Sequence, residues 1–485
     1  MEHKRLELFI KNYIFILIAR ILRISVGFLL LFGVARYLPV ADFGDFVFII
    51  NITASVMSIA FYGIGQALVR DVSRDKASAS QYVGAAFKLR SRLVLASFLA
   101  LMIVCMIMDI RGLMFLALII AAVSEIFRAF SDLTKDVYRS FERMRYETLV
   151  VTIYSAIVLV LIAAVIYHGA TTILIIVAIC LANLLQFLFS VRIMLKEFVV
   201  PASTVESDVM KTFVKDAIGL GVGALFAQLV WRAPALVLKK TSGPVDVAIF
   251  EASHSLILQT LILNEVFITV FLPGLSALIP NREHKSIQQL GVRLFKVLLL
   301  FSINISLILF VFHSEIIRLL YGDKYALSGF VLTTLSPALI FLFLTGLCHI
   351  FLISMKLQKQ FVLCNAVSAL ALLMMLPLAA YRHGYKGAAI ASLIAYVVNF
   401  VCSLYMTDKH VFKLPYRATL KAFGLSVIIA IASATVRESN QIAAFLVLQL
   451  SFLAMVLKAG VLDTQEIQYI KNIIKRRGIS VPPLS

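Results

Sequence analysis

The chain has 485 residues, 61% of them hydrophobic and 15% charged, and its mean hydropathy is +0.98. That balance excludes a soluble globular domain and defines a polytopic membrane protein. The 45 Lys and Arg against 26 Asp and Glu give a net charge of +19, but the bases are scattered through short loops, so membrane topology rather than nucleic acid accounts for them.

Breaking the sequence at its polar clusters gives fourteen expected spans, roughly 12–35, 43–68, 86–108, 113–138, 148–167, 172–194, 213–238, 247–278, 294–313, 328–354, 361–380, 387–407, 418–436 and 441–461. The basic start MEHKRLELFIKNYIF runs into the first of these with no small-residue cleavage pattern, and reads as an uncleaved helix. An even number of spans puts both termini on one side. Of the Lys and Arg, 32 fall in segments on that side and 9 on the other, so the positive-inside rule makes both termini cytoplasmic. The four others, Arg20, Arg23, Arg128 and Arg232, lie within spans.

The first span organises the reading. With a helix start near Asn12, Arg23 lies about 16 Å in at ~1.5 Å per residue, against about 15 Å for half a hydrocarbon core. Arg20 is one turn shallower on the same face. A charge at that depth is costly unless it meets water, an ion pair or an anion. Either Arg20 snorkels and Arg23 pairs internally, or the two face a cavity that receives something negative.

In the fourth span, Glu125, Arg128, Asp132, Lys135/Asp136 and Arg139 recur at three and four residues, on one helix face. This is either a self-neutralised stripe of i, i+3 and i, i+4 pairs or the polar wall of a hydrated cavity. The seventh span carries Trp231, Arg232 and Pro234. An interfacial Trp and a snorkelling Arg compete there with ligand binding, and the proline is expected to kink or break the helix. In the eighth span Glu251 and His254 share a face, with Glu265 further along. With Glu125 and Asp132 they are the candidates for coupling to H⁺ or Na⁺, since protonation or cation binding removes the cost of burying a carboxylate.

The five cysteines all lie in apolar spans without a CxxC and read as small buried hydrophobes, so no metal site is expected. There is no P-loop, nucleotide fingerprint, HExxH or nucleophile elbow, and no cofactor is expected. No loop is large enough to serve as the platform of a sugar polymerase or glycosyltransferase. The basic tail Lys471–Gly478 reads either as a headgroup-binding end or as a solvated one.

The chain also echoes itself. Ser140-Phe-Glu-Arg and Tyr167-His168-Gly169 around span five match Ser354-Met-Lys-Leu and Tyr381-Arg-His383-Gly384 around span eleven at nearly equal offsets, and Leu38-Pro39-Val40 matches Gly243-Pro244-Val245. Two parallel six-span halves follow, with a site between them near the midplane. The expected organisation is an all-α polytopic membrane bundle: an N-lobe over 1–200, a C-lobe over 201–412, and spans thirteen and fourteen with a tail over 413–485.

Several stretches carry a resemblance. ARYLPVADFGDFVFI (Ala35–Ile49), FYGIGQALVRDVSRD (Phe61–Asp75), YRSFERMRYETLV (Tyr138–Val150), KKTSGPVDVAIFEASHSL (Lys239–Leu256) and EIIRLLYGDKYALSGFVL (Glu315–Leu332) stand in the order and spacing of one family. The chain resembles the polysaccharide (O-antigen-type) lipid-linked oligosaccharide flippases of the multidrug/oligosaccharidyl-lipid/polysaccharide exporter superfamily. That resemblance implies a two-lobed, non-enzymatic transporter of the bacterial inner membrane working by alternating access. Its substrate would be an undecaprenyl-pyrophosphate-linked oligosaccharide, with a polysaccharide polymerase and a chain-length regulator as protein partners. Related flippases place an arginine at a position resembling Arg20, which suits Arg20, Arg23, Arg128 and Arg232 as pyrophosphate ligands. A cation-coupled drug or small-molecule exporter of the same superfamily is the alternative.

Overall fold

The computed structural model describes residues 2–58, 61, 63–278, 284–355, 357–414, 416–437 and 440–458. Among these it is all helix: α1 Glu2–Tyr37, α2 Val40–Met57, α3 Ile64–Arg74, α4 Ala79–Ile107, α5 Gly112–Ser140, α6 Met144–Tyr167, α7 Thr172–Glu197, α8 Ser207–Thr241, α9 Pro244–Leu278, α10 His284–Val311, α11 His313–Tyr321, α12 Ser328–Leu335, α13 Ala338–Ser354, α14 Gln358–His410, α15 Tyr416–Arg437 and α16 Gln441–Lys458. A short 3-10 turn, Asp323–Tyr325, follows α11.

Backbone groups have no water to bond in hydrocarbon, so long apolar runs satisfy them internally as helices. The expected polytopic helical bundle is what forms. Nine helices among the described residues are long and apolar enough to cross a bilayer, ten if α12 and α13, bent by 46°, count as one. The difference from fourteen has local causes. The second expected span is two helices, α2 and α3, broken around Gly63. The eleventh and twelfth run together as α14, interrupted by a non-helical Gly384. The expected spans seven, thirteen and fourteen form the helices α8, α15 and α16, whose described side chains do not cover a whole span. Pro234 lies inside α8 without ending it. The lipid-facing character shows in large apolar side chains left outside the packing, such as Met106 (80% exposed), Leu113 (76%) and Met374 (81%). The tail Lys471–Gly478 lies outside the described residues.

Two compact units gather the chain. One comprises Met1–Ile262, Ile317–Val331 and Phe361–Val398. The other comprises Leu263–Ile316, Leu332–Gln360 and Asn399–Ser485. In the first unit α5 and α7 pack through small and polar residues, which let backbones approach closely. Asn183 donates to the Ser124 hydroxyl at 2.9 Å, and the Tyr138 hydroxyl donates to the Ser190 carbonyl at 2.5 Å. An apolar core of Leu68, Val72, Val83, Ala86, Leu133 and Val137 ties α3, α4 and α5 together at the end where α5 finishes.

The other end of this unit, where α1 finishes, is sealed by reciprocal caps. Four carbonyls at a helix C-terminus lack intrahelical partners. Lys324 donates to the carbonyls of Arg36 at 2.9 Å and Leu38 at 2.7 Å, and the Tyr325 hydroxyl donates to that of Ala35 at 3.2 Å. In return Arg36 donates to the Leu319 and Leu320 carbonyls at the end of α11. Burial pulls the Lys324 ammonium below the ordinary lysine pKa. Phe32 meets Tyr321 and Phe43 meets Tyr325 edge to face. Gly44 lies so close to the start of α9 that a Cβ there would overlap the Pro244 carbonyl, and Lys239 pairs with Asp45.

The second unit packs α10 against α13 and α15. An apolar cavity of about 590 Å³ lies among them, lined by residues such as Ile303, Phe310, Pro337, Phe423 and Ile431.

Candidate functional site

The charged face of α5 opens onto a cavity of about 360 Å³ within the first unit. Both readings of that face are realised. Arg128 donates to Glu125 through Nε at 3.0 Å, Lys135 pairs with Asp132 at 2.5 Å, and Arg139 pairs with Asp136 at 3.0 Å, all at i, i+3. Arg139 also holds the buried Glu147 of α6 at 2.5 Å. The same face lines the cavity through Arg128, Asp132, Lys135, Asp136 and Arg139.

Three other helices complete the wall with cations. Arg23 comes from α1, which starts at Glu2, well before Asn12. Arg90 comes from α4, eleven residues and about 16 Å from its start. Arg232 comes from α8, where it donates to Gln228 at 2.8 Å and to Asn51 of α2 at 2.9 Å, and so turns inward. The cavity wall thus carries six cationic side chains and two carboxylates. A lone charge at the bilayer centre costs about 3 kcal/mol on insertion scales, so such a set is sustained by pairing, by water or by an anion.

Phe61, at the break between α2 and α3, sits under two of these cations. The guanidinium carbons of Arg128 and Arg90 lie 4.4 and 5.7 Å from its ring centroid. Gly63 precedes α3 with φ 85°, a conformation that L side chains rarely adopt. Two residues on, a Cβ at Gly65 would overlap the Asp136 carboxylate. These glycines turn the chain sharply and let it approach the α5 wall.

The structure brings together Arg23, Arg128, Arg232 and Asp132 of the residues expected in the site. Glu125 stands behind Arg128, and Arg20, partly buried, does not line the cavity although it precedes Arg23 by only one turn. Glu251 lines a second cavity of about 270 Å³, shared by Asn51, Gln228, Trp231 and Arg232. His254 lies buried behind it, with Nδ1 3.4 Å from Glu251 Oε1 and Nε2 2.9 Å from the Tyr396 hydroxyl. Arg232 therefore borders both cavities. The side chain of Glu265 lies outside the described residues. No group of three or more His, Cys, Asp or Glu is placed to hold a metal among the described residues.

Arg90 is the residue that sequence reading missed. It falls inside the expected span 86–108, but with Lys88 and Arg92 at the polar start of that span it reads as a charge of the cytoplasmic side, because the uninterrupted apolar run begins just after them. The helix in fact begins at Ala79. Ala86, Phe87, Leu93 and Val94, at minus four, minus three, plus three and plus four, are all apolar and mark Arg90 as inward-facing.

Comparison with solved structures finds the same long-helix membrane fold elsewhere. The lipid II flippase MurJ in an inward closed conformation superposes with a TM-score of 0.73 at 16% identity, over 96% of this chain and 100% of that one. An inward-facing multidrug resistance MATE family transporter of the MOP superfamily gives 0.63 at 15% identity, over 80% and 98%. A MOP superfamily transporter from Pyrococcus furiosus, described by a reverse polarity of its binding pocket, gives 0.58 at 16% identity, over 83% and 95%. No curated protein matches the chain. Residues 9–279 match the family described as polysaccharide biosynthesis protein, and the chain belongs to that family, as the resemblance of its junction motifs anticipated.

Proposed function

We propose that this protein is a flippase that carries a polyprenyl-diphosphate-linked oligosaccharide, such as an O-antigen repeat unit on undecaprenyl pyrophosphate, across the bacterial inner membrane by alternating access. The observation that carries the reading is the sign of the cavity: six cations against two carboxylates, five of the six on helices long and apolar enough to cross a bilayer. A diphosphate is the part of such a lipid that cannot cross unaided, and arginines meet phosphate with paired donors in a fixed fork. The oligosaccharide rides with the diphosphate in the hydrated cavity, and the polyprenyl chain stays in lipid. The sealed end, where α1 finishes, is then the outer end, and the basic bias of the loops supports cytoplasmic termini. Glu251 with His254, beside Arg232, is the pair best placed to couple transport to H⁺ or Na⁺. A cationic drug, the alternative cargo, meets the wrong sign of charge in this cavity.

In a strain lacking the chromosomal copy, Arg23→Ala is expected to abolish surface polysaccharide while protein levels stay normal. Polysaccharide retained at the wild-type level would remove Arg23 from the site.

A further inference from the structure

The break in the second span places a helix N-terminus inside the cavity. α3 starts at Ile64, and Gly63, Gly65 and Gln66 line the same wall as Arg90 and Arg128. A helix start presents unsatisfied N–H groups and a partial positive charge, which suits a phosphate oxygen. The helix has eleven residues, long enough for a developed dipole.

A second observation points to the same spot. Arg90 is 1% exposed, yet its partners are backbone carbonyls: Ala129 at 2.5 Å and Phe61 at 3.4 Å. Its Nε carries no hydrogen-bond partner among the described residues. A buried guanidinium with an unused donor is costly by itself. The cost is recovered where an anion completes the donor set. The carboxylates nearby already have cations of their own: Asp132 has Lys135 and Asp136 has Arg139. Asp136 packs against Gly65 and is held there by Arg139.

We propose that Arg90 and the amino end of α3 form a subsite for one phosphate of the diphosphate, and that Arg23 and Arg128 take the other. This rests on the diphosphate reading above and deepens it. Arg90 would be a specificity-determining residue: it makes the cavity prefer two linked phosphates over one. Gly65 belongs to the same device, because any side chain there would push Asp136 into the subsite.

The test uses the full chain in nanodiscs and the fluorescence of Trp231, its single tryptophan, which lines the adjoining cavity. Inorganic pyrophosphate and orthophosphate are titrated separately. Wild type should prefer pyrophosphate. Arg90→Gln should weaken pyrophosphate about 10–100-fold, the worth of one charge-assisted hydrogen-bonding group, and leave orthophosphate within about twofold. Gly65→Ala should do the same, and Arg90→Lys should recover part of the preference. Equal weakening of both anions by Arg90→Gln, or no weakening by either Arg90→Gln or Gly65→Ala, overturns the subsite. If Arg90→Gln does not fold, Gly65→Ala alone decides by the same criterion. Wild type that binds neither anion overturns the diphosphate reading as well. A polyprenyl diphosphate in the nanodisc should compete with pyrophosphate. Failure to compete, with the preference intact, leaves the subsite standing and contradicts only the lipid cargo.

Discussion

Removing Arg139 and removing Arg23 should leave opposite signatures, because the two charges serve different ends. Arg139 holds Asp136 at 3.0 Å and Glu147 at 2.5 Å, and the Glu147 side chain is only 3% exposed. Arg139→Ala strands a buried carboxylate, which costs about 3–5 kcal/mol in fully buried pairs. Arg139 itself is 37% exposed, so solvent screening brings the expected loss down to roughly 2 kcal/mol. Thermal unfolding in detergent should show it clearly. Arg23 is exposed to the cavity, so Arg23→Ala should stay within about 0.5 kcal/mol of wild type while transport is lost. A stability loss for Arg23→Ala as large as that for Arg139→Ala would make Arg23 a structural ion-pair partner instead. At this scale the sequence spoke clearly where charges recur on one face, as Glu125 to Arg139 do. It was silent on Arg90, since a single charge beside Lys88 and Arg92 is indistinguishable from a loop charge until the helix start is known.

The seal at the end of α1 is the feature of most consequence among the elements. It is built from helix ends: α1 and α11 cap each other through Lys324 and Arg36, and α2 meets α9 where Gly44 faces Pro244. A side chain at residue 44 cannot fit without parting these helices. Gly44→Leu should therefore open this end. A cysteine introduced as Asn51→Cys, in a chain with its five native cysteines replaced, should then react faster with a membrane-impermeant thiol reagent added outside. Lys324→Ala should act in the same direction but less, since it removes two hydrogen bonds and no backbone contact, about 1 kcal/mol each. Unchanged reactivity in Gly44→Leu would mean that the seal does not control access. None of this was legible beforehand. Hydropathy reports how apolar a run is, not where its backbone turns, so residues 43–68 read as one span although Gly63 and Gly65 sit where it breaks. The interruption at Gly384 was better signalled, because Tyr381-Arg-His383-Gly384 breaks the apolar run in plain view. There the Tyr385 amide donates to Asp246 at 3.0 Å, which fixes the turn against α9.

For the whole molecule, composition and the order of the junction motifs were enough to reach both the helical membrane bundle and the family. What they could not supply is which polar residues meet. Arg23 and Arg232 are more than two hundred residues apart and share a cavity wall, whereas Arg20, three residues from Arg23, does not line it. The most direct measurement takes proteoliposomes containing the purified chain and a polyprenyl-diphosphate-linked oligosaccharide. An external, membrane-impermeant glycosidase or lectin then reports how fast the lipid changes leaflet. Wild type should exchange the lipid faster than protein-free vesicles, and Arg23→Ala and Arg128→Ala should fall to the protein-free rate. Exchange by wild type at the protein-free rate, under an imposed H⁺ or Na⁺ gradient as well as without one, would contradict the flippase reading.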